Sequence, residues 1–244
     1  MARRDLRALY ARLPHASSGS RDIFATRQDL LRSSGAITTI ILSRDTNITN
    51  MTENEVLSEF RASEALLEGH FLLSSGRHSA HYLQCARVLM NAERAARLAM
   101  ALASTLPRDL KQQITKVVSP AMGGIIFGHE MGRALGKDAI FVERPTGTFE
   151  LRRGFSIDDD DQVLLVEDVV TTGLSSREAI AAVEAAGGKV IAAAALVDRS
   201  AGSADLGVPF HPLISLSFPT YDESEVPQEL AAIPAIKPGS RAKA

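Results

Sequence analysis

The residues with the clearest chemical capacity lie in VLLVEDVVTTGLSS, Val163–Ser176. A short apolar run reads as a buried strand, and it delivers two adjacent carboxylates, Glu167 and Asp168, at its carboxyl end. Val169, Val170, Thr171, Thr172, Gly173, Leu174 and Ser175 then form a hydroxyl-bearing turn containing a glycine. Ser175 and Glu178 have capping-box spacing, which predicts a helix start near Ser176, and Gly187 with Gly188 supplies its stop. The turn therefore faces a helix N-terminus. Backbone N–H groups there lack partners within the helix and carry positive partial charge. They favour a phosphate by about 0.3–2 kcal/mol beyond its individual hydrogen bonds. Two carboxylates beside such a cradle repel a phosphate but accept well from sugar hydroxyls, so the combination asks for a sugar phosphate. A Walker B strand also ends in an acid, but its partner loop is missing: Gly132 to Lys137 has three residues between its glycines, and Asp138 stands where Ser or Thr is needed. No G-x-G-x-x-G, H-E-x-x-H or G-x-S-x-G occurs, which removes the simple dinucleotide, zinc-peptidase and serine-hydrolase readings.

Elements that could hold this segment surround it. Lys116–Ser119, Ala139–Val142, Val163–Val166, Val190–Val197 and Leu213–Phe218 are short runs rich in Val, Ile, Leu and Ala, hence strand candidates. Helical patterns pass through Met131 and Leu135 and through Ile180 and Val183, and Glu93–Leu106 carries an apolar stripe with Arg94 and Arg97 off its centre. Val56, Phe60, Leu66 and Leu67 predict one or two short helices ending near Gly69. Strands alternating with helices imply an α/β fold with a mostly parallel sheet covered on both faces, whose ligands bind beyond the carboxyl ends of the strands. The acidic run Asp158–Asp161 reads as a solvated turn.

Composition narrows the class. The chain has 244 residues, 45% hydrophobic and 23% charged, enough for one large domain or two small ones. No apolar run approaches the roughly 18 residues of a membrane helix. With 27 basic and 29 acidic residues the formal charge is -2, so no overall field attracts nucleic acid or anionic lipid, and any anion site is local. The lone Cys85 excludes an intrachain disulfide framework and multi-cysteine metal sites, making a cytoplasmic location the default. Zero tryptophan argues against a base-stacking surface. Residues 1–50 hold eight arginines against four aspartates, with no lysine or glutamate. They read as a leader: an organelle presequence or, the reading preferred here, an upstream stretch ahead of a start at Met51, dispensable for catalysis. Residues 222–244 read as an irregular C-terminal tail.

The segment Val163–Ser176 resembles the phosphoribosyl pyrophosphate signature of type I phosphoribosyltransferases: hydrophobic strand, two acids, two apolar residues, Thr, a small residue and Gly. GHFLLSSGRHSAHYLQCARVL (Gly69–Leu89), FVERPTGTFELRRGF (Phe141–Phe155) and LVDRS (Leu196–Ser200) are similar to segments of bacterial orotate phosphoribosyltransferases. The resemblance covers residues 51–221. It implies the type I phosphoribosyltransferase fold, with a central mostly parallel sheet flanked by helices, a small N-terminal hood and a mobile active-site loop. It also implies transfer of phosphoribose from phosphoribosyl pyrophosphate to orotate with Mg2+, and a homodimer whose loop reaches the neighbouring site.

By that resemblance Glu167 and Asp168 hold the ribose hydroxyls, and Thr171 through Ser175 hold the 5-phosphate, the division the residues already suggested. Thr171 and Arg199 fall at orotate-binding positions, and a planar guanidinium suits the orotate carboxylate; the less favoured alternative for Arg199 is a solvated charge after a strand. Tyr82 and Leu83 fall where the family packs the pyrimidine ring, or are core. Pyrophosphate is implied to meet the SPAMGG turn, Ser119–Gly124, at Met122 and Gly123, together with Arg144. The segment from Arg144 to Arg153 is implied to be the mobile loop, with Arg152 and Arg153 either adding charge or lying in a solvated hairpin. Better-known members carry lysine where this chain has Ser74, Gly123 and Pro145, so those contacts do not transfer. No residue is assigned as a metal ligand. Two alternatives stand beside this reading. One is a phosphoribosyltransferase for another base, which a panel of orotate, uracil, hypoxanthine and adenine would separate. The other is a non-catalytic nucleotide-binding regulator, which would need a basic module that only the leader resembles.

Overall fold

In the computed structural model the described residues are 50–73 and 75–238. The leader reading and the departure at Ser74 lie outside them. Six strands form the main sheet: β3 (Lys116–Pro120), β4 (Asp138–Glu143), β5 (Glu150–Leu151), β6 (Gln162–Val170), β7 (Lys189–Asp198) and β8 (Phe210–Ser215). Their order is β5-β4-β3-β6-β7-β8, and all neighbours are parallel except the short β5 against β4. Strand order reverses between β3 and β6, the position at which an open α/β sheet leaves a crevice for ligands.

Helices cover both faces, as the apolar strands require. One core joins α1 (Glu53–Ala62), α2 (Cys85–Leu89), α3 (Ala92–Thr105) and α5 (Gly124–Leu135) to the sheet around Phe60, Leu98, Leu102, Phe127 and Met131, while α4 (Arg108–Gln113) lies at its rim. The other is built by α6 (Leu174–Ala185) through Ala179, Ile180 and Val183 on Val118, Val163 and Leu165. Thr52 and Glu55 close a capping box on α1, and Asn91 caps α3 by accepting from the Arg94 N–H at 2.9 Å. Arg94 and Arg97, off the α3 stripe, both reach Glu59 of α1, at 2.7 and 2.5 Å.

Four sequence expectations change. Leu66 and Leu67 are not helical. They begin β1 (Leu66–Leu72), which pairs antiparallel with β2 (His78–Leu83), itself paired with β9 (Thr220–Tyr221). Hydrogen bonds to this neighbouring hairpin strand override the helical spacing, and the small sheet is the hood. The last main-sheet strand is centred earlier than Leu213–Phe218. Pairing of Ala193 with Phe210 sets its register, and its Pro212 is tolerated because β8 is an edge strand. The segment after Tyr221 is less irregular than expected. It makes a 3-10 turn at Glu223–Glu225 and a helical turn, α7 (Gln228–Ala231), and Ile236 bridges to Phe71 with the Leu72 N–H donating to its carbonyl at 2.9 Å. Asp161, in the acidic run, is also no solvated residue. It is buried, paired with Lys116, and accepts from the Thr115 hydroxyl at 2.8 Å. Burial works against its charge, but these partners and the Asp158 N–H hold its carboxyl below the usual range.

The helix that leads out of the SPAMGG turn lies flush on the sheet because glycines form the strip that meets β3 and β4. A Cβ at Gly128 would stand 2.7 Å from the Ser119 Cβ, and one at Gly132 would stand 2.7 Å from the Ala139 Cβ. We predict that Gly128→Ala forces α5 off β3 and costs about 1–3 kcal/mol of stability, measured by urea denaturation. An unchanged midpoint and slope would show that the contact yields freely.

Candidate active site

The end of β6 and the start of α6 build the site. Leu164, Leu165 and Val166 bury the strand between both cores, and Glu167 and Asp168 follow within the strand before Val170 returns to the core. Gly173 makes the turn: its φ of +74° lies in the left-handed region, and a Cβ would come 2.6 Å from Leu206. It occupies the N-cap, so α6 starts at Leu174 rather than near Ser176, and no side chain caps it. Apart from the Leu174 N–H, which donates to the Thr172 hydroxyl at 3.3 Å, the N–H groups of the first turn are thus left open for another acceptor. Ser175 and Glu178, expected to close a capping box, face Arg144 instead.

Arg144, Glu167 and the run from Val169 to Ser175 line one cavity of about 230 Å³. The sequence-assigned phosphate and ribose groups are therefore assembled in one place. Asp168, next in the strand, lies against the SPAMGG turn. A Cβ at Gly123 would lie 2.8 Å from both Asp168 carboxylate oxygens, and one at Gly124 would lie 3.3 Å from Glu167 Oε2. The loop after β3 is pressed over the acid pair at the switch point, so any side chain at position 123 would have to displace the Asp168 carboxylate. Met122 projects outward, 83% exposed.

Arg144 sits on the Ser175 side of the cavity. Its Nη2 pairs with the Glu178 carboxylate and lies 3.5 Å from the Ser175 hydroxyl, and its Cζ is 4.1 Å from the centre of the Phe149 ring. Residues 144–153 form a hairpin closed by β4 and β5, and Arg152 and Arg153 both pair with Glu143, at 3.7 and 2.9 Å. The solvated-hairpin reading fits these two arginines.

The base-side residues are more dispersed. The Arg199 N–H donates to the Val170 carbonyl at 2.7 Å, which ties this residue to the β6 end. Its Cζ lies 5.5 Å from the Phe218 ring centre, and its buried Nε has no hydrogen-bond partner. Burial lowers its pKa, with Cys85 and Tyr82 acting in the opposite sense. Tyr82 packs against Phe71, 5.6 Å between ring centres. Leu83 belongs to the core, so of the two ring-packing candidates only Tyr82 remains open to a ligand. Sequence reasoning passed over His81, stacked on Phe218 at 4.7 Å, and Glu178. Nothing in the local pattern marks His81, whereas Glu178 carried a competing explanation as a cap.

Burial dominates the electrostatics. Desolvation, and then the charge of Asp168, push Glu167 up to about 8, against opposing effects of Ser175 and Arg144. Burial also raises Asp168, partly offset by the N–H groups of Val169 and of Asp168 itself. Near neutrality the pair therefore holds a proton on Glu167. Between the ordinary carboxyl value of 4.5 and the folded value of about 8, the folded chain binds one proton more than the unfolded chain. The contribution of Glu167 to stability is thus complete below the first value and declines until the second. We predict that Glu167→Gln removes this decline. Its melting temperature should match the parent near about pH 5 and exceed it by several degrees near about pH 9. Parallel melting profiles across that range would refute a buried neutral Glu167.

Comparison with known proteins agrees with this geometry. Residues 88–206 match the family described as phosphoribosyl transferase domain. An orotate phosphoribosyltransferase of Novosphingobium aromaticivorans is 76% identical over 193 residues, 79% of this chain and 100% of that protein. The crystal structure of orotate phosphoribosyltransferase from Aeropyrum pernix superposes with a TM-score of 0.58 at 27% identity, covering 66% of this chain and 93% of that one. That of the Mycobacterium tuberculosis H37Rv enzyme in complex with 5-phospho-alpha-D-ribosyl 1-diphosphate superposes at 0.52 with 25% identity, covering 66% and 95%. A chain this similar to named enzymes, with a cavity lined by Glu167 and a hydroxyl-bearing turn near the switch point of a parallel sheet, leaves one assignment: the chain belongs to the orotate phosphoribosyltransferase family.

Proposed function

We propose that this enzyme transfers the phosphoribosyl group of phosphoribosyl pyrophosphate to N1 of orotate, giving orotidine 5-monophosphate and pyrophosphate, a step of pyrimidine biosynthesis. The observation that carries the reading is the single cavity in which Glu167, with Asp168 next to it in the strand, adjoins a helix N-terminus lined by Thr171, Thr172 and Ser175. The 5-phosphate accepts from the N–H groups and hydroxyls of this turn. Glu167 and Asp168 take the ribose hydroxyls, Glu167 in its neutral form able to donate as well as accept. Asp168, the more readily ionised of the two, lies where it favours positive charge developing on the ribose. No general base is needed, because orotate N1 can react as an anion. Arg199 and Thr171 orient the orotate, with Tyr82 beside them, and the Gly123 turn and Arg144 serve the pyrophosphate as it gains negative charge.

Mg2+ fits this donor set. Among the described residues no group of three or more His, Cys, Asp or Glu stands ready to hold a metal, while Glu167 lines the cavity with Asp168 next to it in the strand. Magnesium favours one or two carboxylates combined with substrate phosphates. When bound, it would neutralise the charge of the departing pyrophosphate.

The reading extends to a homodimer in the cytoplasm. Among the described residues no helix is long and apolar enough to cross a membrane. An apolar groove of about 290 Å³ outside α5 and β4, lined by Ile125, Ile126, Ile140 and Phe141, is a surface a second copy would cover. The catalytic unit is taken to span residues 51–221, with residues 1–50 dispensable. A named relative is covered over its whole length by 193 residues of this chain, 22 more than that span, so the match reaches beyond it.

Asp168→Asn should keep the fold and lower orotate turnover about tenfold to a thousandfold, as comparable electrostatic deletions do. The measurement is orotate consumption with phosphoribosyl pyrophosphate and Mg2+, alongside a melting curve. Turnover near the parent rate would remove the acid pair from the chemistry.

A further inference from the structure

Arg144 presents a conflict. Its expected task is at the pyrophosphate end, yet its Nη2 is engaged on the opposite side of the cavity by the Glu178 carboxylate and lies 3.5 Å from the Ser175 hydroxyl. A guanidinium beside a helix N-terminus is repelled by the partial positive charge there, so the first turn of α6 does not hold Arg144 by itself. What holds it is Glu178, one turn into the helix, together with the face of Phe149, whose ring is fixed in the second core. The Arg144 and Glu178 side chains are 37% and 43% exposed, so their pairing is readily exchanged. A phosphate entering the cavity meets a cation already engaged by a carboxylate.

We propose that Glu178 is a positioning residue that parks Arg144 at the start of α6 in the ligand-free enzyme, and that phosphoribosyl pyrophosphate takes its place on the guanidinium. Glu178 acts as a stand-in anion: it keeps Arg144 from being an uncompensated cation at a helix N-terminus and gives it up when a stronger, multiply charged acceptor arrives. The exchange also removes the Arg144 tie between α6 and the β4–β5 hairpin, so arrival of the donor substrate and freedom of the hairpin are linked through one side chain. The inference rests on the reading of this cavity as the cradle of a phosphoribosyl donor.

The test is a double-mutant cycle of E178Q and R144A in the full-length protein. It reads the KM for phosphoribosyl pyrophosphate and for orotate, and the binding of phosphoribosyl pyrophosphate alone by titration calorimetry. Loss of the competing carboxylate should lower the phosphoribosyl pyrophosphate KM and Kd by about two- to five-fold, the range of an exposed ion pair, with the orotate KM unchanged. Without Arg144 the same substitution should have little effect, and E178D, which keeps the carboxylate, should behave as the parent. An E178Q variant with unchanged or weaker binding overturns the proposal. So does an equal gain in the R144A background, which would mean simple repulsion of phosphate by Glu178. E178A repeats the comparison independently of the glutamine. If the parent protein itself fails to bind phosphoribosyl pyrophosphate, it is the cradle reading that falls, an outcome distinct from normal parent binding with an indifferent E178Q.

Discussion

Two carboxyl groups cannot be taken out of water at the end of a strand unless something replaces the solvent around them, and that constraint organises this molecule. Glu167 is 7% exposed and keeps its proton to about 8. Asp168 is spared part of the same penalty by backbone N–H groups. An acid pair of this kind is tolerated only beside donors: the N–H groups of Asp168 and Val169, and the Ser175 hydroxyl in the first turn of α6. That first turn also makes the adjoining cavity attractive to a phosphate, so the two halves of the site meet at Ser175. One turn, fixed by the left-handed Gly173, serves both purposes.

The sheet makes the juxtaposition possible. Because order reverses between β3 and β6, the loops leaving these two strands diverge to opposite faces, and the space between their ends stays open. The glycine face of α5 then brings the SPAMGG turn down onto the acids. Packing in the core and polar geometry in the site are therefore coupled. A methyl group added beneath α5 disturbs a helix whose first residue stands over Glu167. Charge is managed by pairing where burial is shallower: Arg144 on Glu178, Arg153 on Glu143, and Arg94 with Arg97 on Glu59.

The parts of the fold legible in the sequence are those governed by local periodicity and full burial. The strands around Val117, Val163 and Val190 and the helix through Met131 show themselves because every residue in them answers to the core. The acid pair and its turn are legible because strand, carboxylates, hydroxyls and glycine are contiguous. What stays hidden depends on partners distant in sequence. Leu66 and Leu67 pair with Tyr82 and Leu83, and Ile236 bridges back to Phe71, relations no local window contains. Glu178 has two uses compatible with its spacing, and only the position of Arg144 decides between capping and ion pairing. Leu83 and Tyr82 are adjacent and similar in pattern, yet the pleat sends one into the core and leaves the other half-buried.

The most direct measurement is a crystal structure of the protein with phosphoribosyl pyrophosphate and Mg2+. The account predicts ribose hydroxyls within hydrogen-bonding distance of both Glu167 and Asp168, and the 5-phosphate seated on the N–H groups from Thr172 to Ser175. A sugar bound away from the acid pair, or a phosphate that leaves the start of α6 untouched, would contradict it.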